Sequence, residues 1–319
     1  MRITWFFLFL LCFCFSASLC TARILSPEEV EVLLNQIVEG STSRDYWSVW
    51  RFRDGVTGEE RFVEVLFLRG SGFAWKVLGE EKVVNMRLGN CRYVVNLENG
   101  EVESVYPILG FPFAPLERET FPLLLENYLF DLREHELVLF AKRTGEAVCS
   151  FLLDTEGSII GQRVYAPRGK VVEEWKLVYR DTSPEFSWVS RVVHLFDSLK
   201  EKVPQPELLA PKLGGKIILP DFVPLGFQFR RAYLLKDGEK EFYGLVYSDG
   251  LLSFLLLRSV HPFQISGSRA LRYFRFMQGG REVQIAAEKE GFYFLLVGGL
   301  DPRVGQVILE SFSKKGGWK

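Results

Sequence analysis

Gly72-Phe-Ala-Trp-Lys-Val-Leu78 and Arg92-Tyr-Val-Val-Asn-Leu97 decide the fold class. In the first, Phe73, Trp75 and Val77 alternate with Ala74, Lys76 and Leu78. In the second, Tyr93, Val95 and Leu97 alternate with Arg92, Val94 and Asn96. A period of two marks antiparallel strands with one face buried. Working outward, Tyr46–Phe52, Arg61–Leu68 and Val102–Tyr106 are further runs of β-branched and aromatic residues. Asp54-Gly55, Gly70, Gly89-Asn90 and Asn99-Gly100 punctuate them as turns. Strands resume at 127–132, 136–142, 147–153, 159–165 and 171–179. This meander must cover its apolar face, so the sheet is expected to curl around one or two helices.

The segment before the meander supplies one such helix. Ser26 caps it, Pro27 suits its first turn and Glu29 completes a capping box. Val30, Leu33, Leu34, Ile37 and Val38 form its apolar stripe, and Gly40 is expected to end it. A second, brief helix is expected at 116–125, after an apolar, proline-rich segment. That segment, 107–122, contains Phe111, Phe113 and Phe121, and reads either as a flap over a cavity or as a packed connection.

Prolines 204, 206 and 211 and mixed charges mark 198–215 as a linker. A second set of strands follows at 216–219, 227–235, 241–247, 251–258, 270–277, 281–288 and 291–297, with a final helix after Asp301-Pro302. The expected fold is therefore α+β. An N-terminal antiparallel half-barrel (23–197) wraps around helices, and a smaller α+β domain (216–319) with an antiparallel sheet follows the linker.

Residues 1–22 have the layout of a secretory signal: one charge at Arg2, an apolar run from Trp5 to Phe15, and small residues before a cleavage position near Ala22. The apolar run is shorter than the roughly 20 residues of a spanning helix. A retained anchor and acylation at Cys20 are the alternatives, but Leu19 stands where acylation wants a small residue. Export leaves Cys91 and Cys149 as the mature cysteines. In an oxidising compartment they form a disulfide or remain two buried thiols.

The formal net charge of −1 gives nothing for nucleic acid to bind. His135, His194 and His261 stand far apart, with no ligand-spaced neighbour. No CxxC, helical metal pair or nucleophile elbow is present, and Gly70-Ser71-Gly72 lacks the full spacing of a phosphate loop. The sequence thus gives no catalytic residue, metal or cofactor, and the chain is expected not to be an enzyme. Its candidate ligand-contacting residues are apolar: Trp75, Val77, Tyr93 and Val95 on a concave sheet face, with Phe111 and Phe113 in the proline-rich segment. Plain core packing is the competing reading for all of them.

Lys216-Ile-Ile-Leu-Pro-Asp-Phe-Val-Pro-Leu-Gly-Phe227, followed by Leu245-Val-Tyr247-Ser248-Asp249-Gly250-Leu251-Leu-Ser-Phe254, resembles the C-terminal domain of the MucB/RseB family. Phe294-Leu-Leu-Val-Gly-Gly-Leu300 is similar to its closing strand, and Phe151–Gly157 with Gly169–Trp175 to paired strands of its first domain. The resemblance runs thinly over 26–312. It implies a LolA-like first domain, a periplasmic location, and binding of the periplasmic segment of a transmembrane anti-sigma factor. It also implies that lipid or lipopolysaccharide, or a mislocalised lipoprotein, is sensed and releases that partner, with lipid or lipoprotein acyl chains as possible ligands. A lipid or lipoprotein carrier is the alternative. Pro224, the apolar 107–122 segment and Cys91–Cys149 depart from the family's pattern.

Overall fold

The computed structural model describes residues 23–88, 91–107, 116–183, 187–202, 207–209, 219–237, 240–261, 274–276, 282–289, 291–298, 300 and 302–312. They form two antiparallel sheets. The first has twelve strands: β1 (Arg23–Ile24), β2 (Tyr46–Asp54), β3 (Glu60–Leu68), β4 (Gly72–Val77), β5 (Val83–Leu88), β6 (Cys91–Asn96), β7 (Val102–Pro107), β8 (Tyr128–Arg133), β9 (Glu136–Ala141), β10 (Ala147–Leu153), β11 (Ile159–Ala166) and β12 (Lys170–Asp181). Their spatial order is β1-β8-β9-β10-β11-β12-β2-β3-β4-β5-β6-β7. Two local meanders, β2–β7 and β8–β12, therefore meet along a single seam between β12 and β2.

Helix α1 (Pro27–Thr42) forms as its capping box dictates: the Ser26 side chain takes the Glu29 amide, and Glu29 takes the Ser26 amide. Its end differs from the expectation. Gly40 lies inside the helix, where a Cβ would stand 3.0 Å from the Glu156 carbonyl. That glycine permits close approach to the β10–β11 turn rather than ending the helix. After a short 3-10 turn at Arg118–Thr120, helix α2 (Phe121–Asn127) starts with Pro122 in its first turn. α1 and α2 fill the concave face. Val30, Leu34 and Ile37 of α1 and Phe121 and Leu124 of α2 pack on Trp50, Val65, Phe73, Trp75, Phe130, Leu139 and Phe151.

A third helix, α3 (Ser187–Lys202), covers part of the opposite face. Its Val189, Val192, Phe196 and Leu199 pack on Leu66, Ala74, Met86, Tyr93 and Val95. Between helix and sheet lies a buried ion pair, Lys76 Nζ to Glu64 at 3.0 Å, with Lys76 5.3 Å from the Trp188 ring centroid.

The second sheet has seven strands: β13 (Glu207–Leu209), β14 (Gln228–Asp237), β15 (Lys240–Ser248), β16 (Ser253–Ser259), β17 (Phe274–Phe276), β18 (Glu282–Lys289) and β19 (Phe292–Gly298), in the order β13-β14-β15-β16-β19-β18-β17. Helix α4 (Pro302–Glu310) packs Ile308 and Leu309 on Ile285, Phe254 and Leu296. The α+β half-barrel with a smaller C-terminal α+β domain is thus the observed architecture. The stretch expected as a linker is partly structured: α3 runs to Lys202, and β13 joins the second sheet. Among the described residues, no helix is long and apolar enough to cross a membrane.

Candidate functional site: the joint between the two domains

The turn between β15 and β16 is built from its own side chains. Asp249 Oδ1 accepts the amides of Leu251 (2.9 Å) and Leu252 (2.7 Å). Ser248 Oγ accepts from the Gly250 amide at 3.0 Å and donates to the Leu252 carbonyl at 2.9 Å. Tyr247 anchors the turn from below, stacked on Phe254 at 4.9 Å with rings 8° apart. Burial pushes its phenol up to about 12. The motif Tyr-Ser-Asp-Gly-Leu is therefore a rigid, self-capped tip on a core aromatic.

That tip is inserted against the half-barrel. Asp249 Oδ2, which the turn leaves over, accepts from the Tyr128 hydroxyl at 2.6 Å, and both residues are buried. The two hydrogens of Asn127 Nδ2 are shared among three carbonyls. One is its own helix's Leu123 (3.0 Å), and two belong to the C-terminal domain, Gly226 (3.1 Å) and Asp249 (2.9 Å). Gly250 has φ +102, and a Cβ on it would stand 2.6 Å from the Leu124 amide nitrogen. Only glycine allows the tip to lie so close to the α2 backbone. Leu251 then packs on the half-barrel's concave core. At the rim, Gln228 donates to Glu126 (2.9 Å), Arg230 to the Glu119 carbonyl (2.7 Å), and Arg231 pairs with the Glu119 carboxylate.

At the centre of the joint the Asp249 carboxyl is buried. Burial holds the Asp249 carboxyl above its ordinary range, against the opposing hydrogen bonds from Tyr128 and the turn amides. Burial, and then the adjacent Asp249 charge, raise the Tyr128 phenol. Cys149 lies on the same side of the sheet, accepting from Gln162 Nε2 at 3.6 Å, its thiol pushed up to about 12 chiefly by burial.

The other candidates fare differently. Trp75 is buried in the concave core and Val77 is half-buried beside it in register with Val63, whereas Tyr93 and Val95 are buried on the opposite face beneath α3. The four do not form one surface. Asn85 pairs with Trp75 on one side and with Val94 on the other, so Val94 and Arg92, not Val95 and Tyr93, share Trp75's face. A one-residue offset between neighbouring strands flips every side chain. Arg92 lies there, 5.5 Å from the Trp75 ring centroid and held by Asn85 Oδ1 at 2.8 and 3.1 Å. Phe111 and Phe113 lie outside the described residues, as do residues 1–22 and 216–218. The Cys91–Cys149 bridge is not formed: Cys149 is a free, buried thiol, and six strands separate β10 from β6. His135, His194 and His261 are all exposed.

No protein-family model matches the sequence, and no curated protein matches it. Solved structures do match. MucB in the MucA/MucB complex of Pseudomonas aeruginosa superposes with a TM-score of 0.51 at 11% identity, covering 87% of this chain and 96% of that one. A crystal structure of MucB gives 0.51 at 12% identity, covering 88% and 96%. The chain has the MucB fold. At such low identity the likeness rests on architecture, and it spans both sheets rather than the half-barrel alone. A LolA superfamily protein from Nitrosomonas europaea matches half of the chain with a TM-score of 0.29 at 10% identity, covering 96% of its own length.

Proposed function

We propose that this chain is an exported, periplasmic, non-enzymatic binding protein that takes the periplasmic segment of a transmembrane anti-sigma factor and controls an envelope stress response. The observation that carries this reading is the shared MucB fold over most of the chain. MucB has been crystallised in complex with MucA, and with its periplasmic part.

The carrier reading takes its support from the half-barrel. Against it stands the packing of the concave face, where α1 and α2 place Leu34, Ile37 and Leu124 at full burial. An acyl chain would have to displace a helix to enter. Sensing of lipid by the regulator carries the same requirement.

The test is a titration of residues 23–319 against the periplasmic segment of an anti-sigma-like membrane protein encoded beside this one. The regulator reading expects a saturable complex with micromolar or tighter affinity, weakened by lysophospholipid. No complex, together with acyl chains in an organic extract of the purified protein, would shift the assignment to the carrier.

A further inference from the structure

The joint buries an acid that no described base pairs with, and Lys142 at the same corner is held on the Leu125 carbonyl. Asp249 is 7% exposed, between the turn that carries it and the α2–β8 corner. Among the described residues, no lysine, arginine or histidine pairs with it. The nearby arginines of β14, Arg230 and Arg231, are engaged by Glu119 at the rim. From β8 the facing group is the Tyr128 hydroxyl. Behind it on β10 is the Cys149 thiol, and beyond that Glu173 of β12. α2 contributes the neutral Asn127 amide, and Glu126, which takes Gln228. None of these brings positive charge to the carboxylate.

Undocking the hairpin would return Asp249 to water while leaving its turn intact, since both Oδ1 contacts are local. The two states of the joint therefore solvate this one carboxyl very differently. From this geometry we infer that the joint is a proton-linked latch, in which a neutral Asp249 holds the C-terminal domain on the half-barrel more tightly than an ionised one does.

The sign follows from burial, which raises the docked carboxyl above its ordinary range. Below the undocked value both states are protonated and docking is at its tightest. As pH rises toward the docked value, the undocked state loses its proton first, and docking weakens. Above the docked value the loss is complete and docking levels off. Within that window the docking equilibrium falls by up to tenfold per pH unit. Tyr128, raised as well, does not titrate in this range.

The experiment is amide hydrogen exchange of residues 23–319 from pH 3.5 to 8.5 at constant ionic strength, corrected for intrinsic rates, with small-angle scattering on the same samples. Protection of the segments 123–128 and 249–252 should fall as pH rises, with an increase in radius of gyration and no loss of protection in the cores of either sheet. Asp249→Asn keeps one oxygen for the two turn amides and a neutral group for Tyr128. It should stay docked and lose the dependence. Tyr128→Phe removes the hydrogen bond that favours the ionised form, and should extend the weakening to higher pH. Protection independent of pH in the wild-type protein would overturn the latch, as would an Asn variant with the wild-type slope. An Asn variant that is undocked at every pH would overturn it too, because a neutral side chain is what the latch prefers.

Discussion

Replacing Gly250 by alanine should separate the two domains without unfolding either. The substitution adds one methyl group to a residue at φ +102, with its Cβ 2.6 Å from the Leu124 nitrogen and 3.0 Å from the Leu123 carbonyl carbon. Both atoms belong to helix backbone, which cannot rotate away as a flexible side chain would. The backbone conformation itself costs an L-residue about 1–3 kcal/mol. The clash adds to this until the hairpin lifts off α2. What is then lost is the joint's own worth. The Tyr128–Asp249 bond contributes about 1.5–3 kcal/mol if the carboxyl is charged, and the two interdomain bonds of Asn127 about 0.5–1.5 kcal/mol each. Half-burial of Leu251 contributes about 1 kcal/mol. Together these contacts at the hairpin tip contribute about 3.5–7 kcal/mol. The assay is urea denaturation followed by intrinsic fluorescence, with small-angle scattering in zero urea. Gly291→Ala is the control, because its φ is +78 but nothing lies within 4 Å of the added methyl. Gly250→Ala should give two resolved transitions and an expanded scattering envelope, while Gly291→Ala should show only the small backbone cost. Indistinguishable behaviour of the two variants would refute the reasoning that the hairpin tip holds the domains together.

Glu64→Ala should destabilise the half-barrel by about 3–5 kcal/mol, because it strands the buried Lys76 ammonium under α3; Glu64→Gln with Lys76→Met should recover most of the loss in chemical denaturation. Phe196→Ala, emptying a fully buried site between α3 and the sheet, should cost about 3–5 kcal/mol by the same measurement. Cys149, a buried thiol pushed up to about 12, should resist iodoacetamide at pH 8 in the native protein and react only in denaturant, as read by peptide mapping. Ser26→Ala should cost about 1 kcal/mol through the lost cap of α1, seen as a lowered melting temperature.

The alternation around Trp75 and Tyr93 was enough to read antiparallel strands, and the Ser26–Glu29 box enough to place α1. Which face each strand presents was not legible, because that depends on register between neighbours. The pairing of Trp75 with Asn85, and of Asn85 with Val94, put Tyr93 and Val95 under α3 instead of in the concavity. α3 itself left a signal: Trp188, Val189, Val192, Phe196 and Leu199 fall at helical spacing, although Pro184 and the linker prolines draw the eye to irregular structure. The joint was half legible. Asp249-Gly250 reads as a hairpin turn, and the structure keeps it as one. Its partners, Asn127 and Tyr128, read only as the start of a strand. Nothing local marks them, since their function depends on a hairpin about 120 residues further along the chain.

The seam between β12 and β2 has a consequence for how the chain acquires its structure. Within each meander every strand pairs with its sequence neighbour, so most of the first sheet can zip from hairpins that close short loops. The pairing of Asp54 with Glu173 and of Trp47 with Asp181 instead closes a loop of well over a hundred residues. Such closure is slow because its entropy is lost before any contact is gained. Two preformed sheets with open edges should therefore accumulate before the seam closes, and mutations along β2 and β12 should slow refolding more than equally destabilising ones in β8 to β10. Until that moment the edges of β2 and β12 are unpaired templates for other chains.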